Sequence, residues 1–99
     1  MKMIKKLVDC LDEELEGAQR YAEKYVEYKA NDNSKWANRF KSMAEDELSH
    51  SMNMHELIVE EIEKLRKVYT PSQEMLDKWD KAHTEYVDKA AWIKQMLTL

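Results

Sequence analysis

Residues 36–57 read Trp36-Ala-Asn-Arg-Phe40-Lys-Ser-Met43-Ala-Glu-Asp-Glu47-Leu-Ser-His50-Ser-Met-Asn-Met54-His-Glu-Leu57. Taken every three or four residues, this stretch gives Trp36, Phe40, Met43, Glu47, His50, Met54 and Leu57. That is the 4-3 stripe a helix buries in a coiled-coil-like bundle, broken in its middle by two polar side chains. Upstream, Ile4, Leu7, Leu11, Glu14, Ala18, Tyr21, Tyr25 and Tyr28 repeat the spacing, with Glu14 the one exception. Downstream, Leu76, Trp79, His83, Tyr86, Ala90, Ile93 and Leu97 repeat it again around His83.

Two breaks separate the stripes. Turn formers and helix-capping residues cluster at Lys29-Ala-Asn-Asp-Asn-Ser-Lys35. At Thr70-Pro71-Ser72-Gln73 the spacing predicts Thr70 as N-cap, Pro71 in the first helical position and Gln73 completing a capping box. Helices are therefore expected at about 3–30, 34–68 and 71–97 of one domain, 1–99. One Gly and one Pro in 99 residues leave little with which to end strands, and the abundant Glu, Lys, Ala, Leu and Met favour helix. The expected class is all-α, an antiparallel helical hairpin plus a third helix, since short connections make antiparallel neighbours.

Composition narrows the function classes. A net charge of −4 with both signs interspersed offers no basic block for nucleic acid. No stretch reaches the roughly 20 apolar residues a membrane span needs. The basic start lacks an apolar segment behind it, so no signal peptide is read. With Cys10 the only cysteine, disulfides and Cys-x-x-Cys chemistry are excluded, and a cytoplasmic protein is expected.

Glutamate is among the residues least often buried, because an unpaired carboxylate removed from water costs several kcal/mol or takes up a proton. Glu14, Glu47 and His50 at stripe positions therefore call for a common cause. Measured from a turn near Asn33, Glu14 and the Glu47–His50 pair differ in height by roughly 5 Å, less than one helical turn. In an antiparallel hairpin they converge on one level, and a divalent cation there would convert three costly groups into ligands. Carboxylate and imidazole suit iron or manganese, accommodate zinc, and disfavour metals that demand thiolate. Carboxylate-bridged sites in four-helix bundles take a Glu from two helices and a Glu-x-x-His from the other two. This chain holds one of each, so two copies about a two-fold axis would complete the set.

The segment Glu14-Leu-Glu-Gly-Ala-Gln-Arg-Tyr21 resembles the first metal-binding helix of ferritin-like proteins, and Met43-Ala-Glu-Asp-Glu-Leu-Ser-His50 resembles the Ala-Glu-x-Glu-x-x-His segment of rubrerythrins. With one such helix pair in the chain, the resemblance is closest to encapsulated ferritins, whose half-bundle subunits dimerise into a four-helix bundle. It implies Glu14, Glu47 and His50 as ligands and catalytic residues, and Tyr21 as a hydrogen-bonding neighbour of the site. It further implies two irons per dimer, a homo-oligomer built of dimers, and ferroxidase activity, the oxidation of Fe(II) by dioxygen or peroxide. The chain ends Ala91-Trp-Ile-Lys-Gln-Met-Leu-Thr-Leu99, still helical in pattern. It lacks the flexible tail and apolar-Gly-Ser peptide that address such ferritins to an encapsulin shell, so that partner is not expected.

Blander readings stand beside these. The trio could be a buried ion-pair or hydrogen-bond cluster involving Arg20 or Arg39. His83 is expected as a core histidine bonded to a neighbour, with a role as extra ligand the alternative. Met43, Met52 and Met54 read as gap fillers, Cys10 as packing and His55 as exposed. Glu13, Glu16, Glu45 and Asp46 suit either a solvated face or a cation's approach path. A non-catalytic scaffold, with a structural metal or none, is the alternative to the enzyme.

Overall fold

The computed structural model of the chain describes residues 2–99 and contains α1 (Lys2–Ala30), α2 (Ser34–Val68) and α3 (Gln73–Met96). The described residues are all helix and turn, drawn out to 55 × 17 × 17 Å. No helix among them is long and apolar enough to cross a membrane.

The first turn lies where turn chemistry places it. Asp32 adopts φ 58°, the left-handed region that short polar side chains tolerate. Asn33 then caps α2, its side-chain oxygen accepting from the Trp36 backbone N–H at 3.3 Å. The second turn departs from expectation. Ser72, not Thr70, caps α3, accepting from the Met75 N–H at 3.1 Å, and Pro71 lies outside the helix. Thr70 and Pro71 belong to the connection rather than to the first turn of α3. Gln73 is then free to bond Asp77 at 2.8 Å along the first turn.

α1 and α2 form the antiparallel hairpin, and α3 runs back beside α1. At one end Lys29 Nζ donates to the Leu99 carbonyl. Near the middle Asp12 of α1 lies in the field of Glu85 and Lys89 of α3. The core is built from Ile4, Leu11, Leu15, Ala18, Ala22 and Tyr25 of α1, Ala37, Ala44, Leu48, Ile58 and Ile62 of α2, and Ala90, Ile93, Met96 and Leu97 at the end of the chain. Ser51 is also buried, and its hydroxyl donates to the Leu48 carbonyl at 2.7 Å.

The buried line of α2 is not the expected stripe. Ala37, Ala44, Leu48, Ser51 and Ile58 each follow by one residue Trp36, Met43, Glu47, His50 and Leu57. One residue is a rotation of about 100°. The rotation carries small side chains into the α1–α2 seam, where helices approach closely, and leaves His55 of α2 against Trp79, His83 and Tyr86 of α3. In α1 the expected stripe splits: Ile4, Leu11, Ala18 and Tyr25 are buried, while Leu7, Glu14, Tyr21 and Tyr28 are half-buried. The hairpin thus keeps an open face. Leu7, Tyr21, Tyr28, Phe40, Met54 and Leu57 lie half-buried on it, and Trp36 and Met43 are exposed at 42% and 38%. Around Phe40, the rings of Tyr21, Tyr28 and Trp36 stand at 6.2, 5.3 and 6.3 Å between centroids.

Candidate metal site

On that open face, midway along the hairpin, three side chains meet. Glu14 comes from α1, and Glu47 and His50 come from one turn of α2. His50 Nδ1 is 3.4 Å from Glu14 Oε2 and 4.0 Å from Glu47 Oε2. One donor atom from each lies within 4.8 Å of the others, and among the described residues no second group of three carboxylate, imidazole or thiol side chains is this close. The shared height read from the sequence is thus realised.

The depth is not. The side chains of Glu14, Glu47 and His50 are 32%, 27% and 55% exposed, so they sit at the rim of the core rather than within it. The rotation of α2 that buries Leu48 and Ser51 is what lifts Glu47 and His50 toward the surface.

Charge is unresolved within the trio. The Glu47 carboxyl is pushed above its usual value, chiefly by its hydrogen bond with Glu14, then by partial desolvation and the negative charge of Glu14. His50 draws it back down and Asp46 adds to the rise. Two carboxylates this close either share a proton or accept a cation between them. The arginines that could have neutralised them are engaged elsewhere: Arg20 pairs with Glu16 at 3.5 Å, and Arg39 lies over the Trp36 ring at 4.8 Å.

Gly17 is the site residue that pattern reasoning missed. A Cβ built there would lie 3.3 Å from Glu47 Oε2 and 3.5 Å from its Cδ. The glycine makes room for the Glu47 carboxylate to lie across α1 toward Glu14. The signal was present: Gly17 is the only glycine in the chain and stands mid-helix, where glycine costs about 1 kcal/mol relative to alanine.

Other expected roles resolve differently. Tyr21 stacks near Phe40 and, among the described residues, makes no hydrogen bond to the trio. His83 is exposed rather than core, and it is not part of the trio; it bonds His55 at 2.7 Å. His55 in turn is half-buried, because α3 packs over it. Cys10 is exposed, as are Met43 and Met52, so of the expected fillers only Met54 is partly enclosed. Glu13, Glu16, Glu45 and Asp46 occupy exposed positions.

As chemistry, the trio offers two oxygens and one imidazole nitrogen on a solvent-accessible face. That donor set fits a divalent cation of the iron, manganese or zinc type, leaving coordination positions for water or a further protein group. Compared with family models, curated proteins and solved structures, the chain matches none.

Proposed function

We propose that this chain is a ferritin-like half-bundle that pairs with a second copy through its open hairpin face and oxidises Fe(II) at the metal site so formed. The observation that carries the reading is the convergence of Glu14, Glu47 and His50 within 4.8 Å on an otherwise apolar and aromatic face. A second copy of the same face would supply another Glu14 and another Glu47–His50 pair, the complement such bundles use for two metal ions. It would also cover Trp36 and Met43, which the chain alone leaves exposed.

In this reading Fe(II) is substrate. Two Fe(II) ions each give up one electron, and dioxygen takes both electrons with two protons to leave as hydrogen peroxide. The residues bind and hold. Glu47, whose carboxyl holds its proton more tightly than usual, gives it up as the cation arrives, so binding is tighter as pH rises. The two negative charges of Glu14 and Glu47 offset the increase in metal charge on oxidation. His50 supplies a neutral nitrogen that fixes the ion's position on α2. Gly17 keeps the Glu47 carboxylate within reach of Glu14.

A second reading has its own support. The Glu14–Glu47 hydrogen bond and the nearby His50 satisfy one another without metal, which suits a scaffold that keeps the helix pair without the chemistry. Aerobic Fe(II) addition separates the two. The ferroxidase produces ferric absorbance at a rate that falls at least tenfold in the Glu47→Ala, His50→Ala double variant. Equal, slow oxidation by both proteins leaves the scaffold.

A further inference from the structure

A second cluster of ligand-type side chains lies where α2 meets α3. His55 of α2 and His83 of α3 point their rings at each other, with His55 Nε2 2.7 Å from His83 Nδ1. The ring centroids are 4.9 Å apart and the planes are inclined by 35°. His55 is stacked on Tyr86 at 4.5 Å and lies 5.4 Å from Trp79, so its ring is held from two sides. His83 is exposed, with the Trp79 ring 5.8 Å from its own.

We propose that His55 and His83 form a two-imidazole site for a late divalent transition metal such as zinc, clamping α3 to α2 independently of the Glu14–Glu47–His50 trio. The ion requires the hydrogen-bonded pair to open and bend. With Zn–N bonds of about 2.0 Å at a tetrahedral angle, two imidazole centroids stand about 5.2 Å apart. From the present 2.7 Å between the facing nitrogens and 4.9 Å between centroids, the nitrogens must part to about 3.3 Å and the rings must tilt so that lone pairs now lying nearly along one line converge on the ion, a change the exposed His83 side can take up.

The proton balance is simple. In the hydrogen-bonded pair one facing nitrogen carries a hydrogen; on binding, that ring takes its proton at the outward nitrogen instead, through solvent. Both rings stay neutral and both inward lone pairs reach the metal. Burial and the charge of His83 hold the His55 ring below its usual pKa, which keeps it in the neutral, ligating form near pH 7. Two nitrogens and no nearby third carboxylate or thiolate select imidazole-preferring ions over calcium or magnesium. Water fills the remaining positions on the exposed side.

The test is zinc titration, by calorimetry, into the full chain carrying Glu47→Ala and His50→Ala, which removes the first site. One zinc equivalent per chain and a raised melting temperature are expected, and adding His83→Gln, at an exposed position, should abolish both. In the unsubstituted chain, the side-chain nitrogen resonances of His55 and His83 should shift together on zinc addition. Binding that survives His83→Gln, no binding at all, or histidine spectra of these two residues unmoved by zinc would overturn the proposal.

Discussion

Replacing Gly17 by alanine pulls stability and metal binding in opposite directions. The residue lies in the middle of α1 and its φ is not positive, so an L side chain fits the backbone without strain. Removing a mid-helix glycine is worth about 1 kcal/mol of helix stability. Against this, the new Cβ meets Glu47 Oε2 at 3.3 Å, its Cδ at 3.5 Å and its Cγ at 3.6 Å. Only the first is tighter than ordinary contact, and it is the far end of a flexible side chain, so the carboxylate yields by a few tenths of an ångström. The net gain is about 0.5–1 kcal/mol, or a rise of roughly 2–8 °C in melting temperature for a chain of this size. The displaced carboxylate lies less well against Glu14, and metal affinity falls by about tenfold, the lower end of the cost of disturbing a ligand's support. Circular-dichroism melts in chelator measure the first effect and zinc or anaerobic Fe(II) titration the second. A lower melting temperature would mean that Glu47 is too constrained to yield. Unchanged affinity would show that Gly17 does not set the position of the Glu47 carboxylate at the metal.

Further outcomes test other parts of the structure. Because the folded state holds the Glu47 proton more tightly than the unfolded chain, this group's contribution is complete below about pH 4.5 and is lost as pH rises through its higher folded value. In chelator, Glu47→Gln should therefore melt progressively above wild type as pH climbs from 4.5, and parallel curves would show that the two carboxyls do not interact. Ser72→Ala should cost about 1 kcal/mol in urea denaturation, while Thr70→Ala should be nearly neutral; the reverse order would restore Thr70 as the cap. Ile58→Ala, at a fully buried position, should cost about 2–5 kcal/mol, and a loss under 1 kcal/mol would argue against the packing of α2. Trp36→Glu with Met43→Glu, both exposed in the single chain, should leave helicity intact but halve the mass seen by analytical ultracentrifugation. A mass unaffected by them would place any self-association on another face.

Much of the architecture was legible without coordinates because helix is a local decision. The 4-3 spacing, the helix-forming composition and the turn residues at 31–33 specify three helices to within a residue or two, α1 and α2 above all. The likeness in height of Glu14 and the Glu47–His50 pair follows from the 1.5 Å rise per residue and one short turn, and the close approach of the three confirms that arithmetic. The cap of α3 was harder to read, since Thr70 and Ser72 offer the same capping chemistry two residues apart and local signals do not separate them.

Which side of each helix faces inward was a tertiary decision. A 4-3 stripe is broad, and α2 carries apolar or small residues on two adjoining lines, Trp36–Phe40–Met43–Met54–Leu57 and Ala37–Ala44–Leu48–Ser51–Ile58. Periodicity alone cannot choose between lines 100° apart. Packing chooses the second, because Ala and Ser let α1 and α2 approach closely. That choice takes Glu47 and His50 out of the core and leaves them half-open on the face the chain does not cover. The same choice encloses His55 beneath α3 and brings it to His83, a meeting of residues 28 apart along the chain that no local spacing encodes.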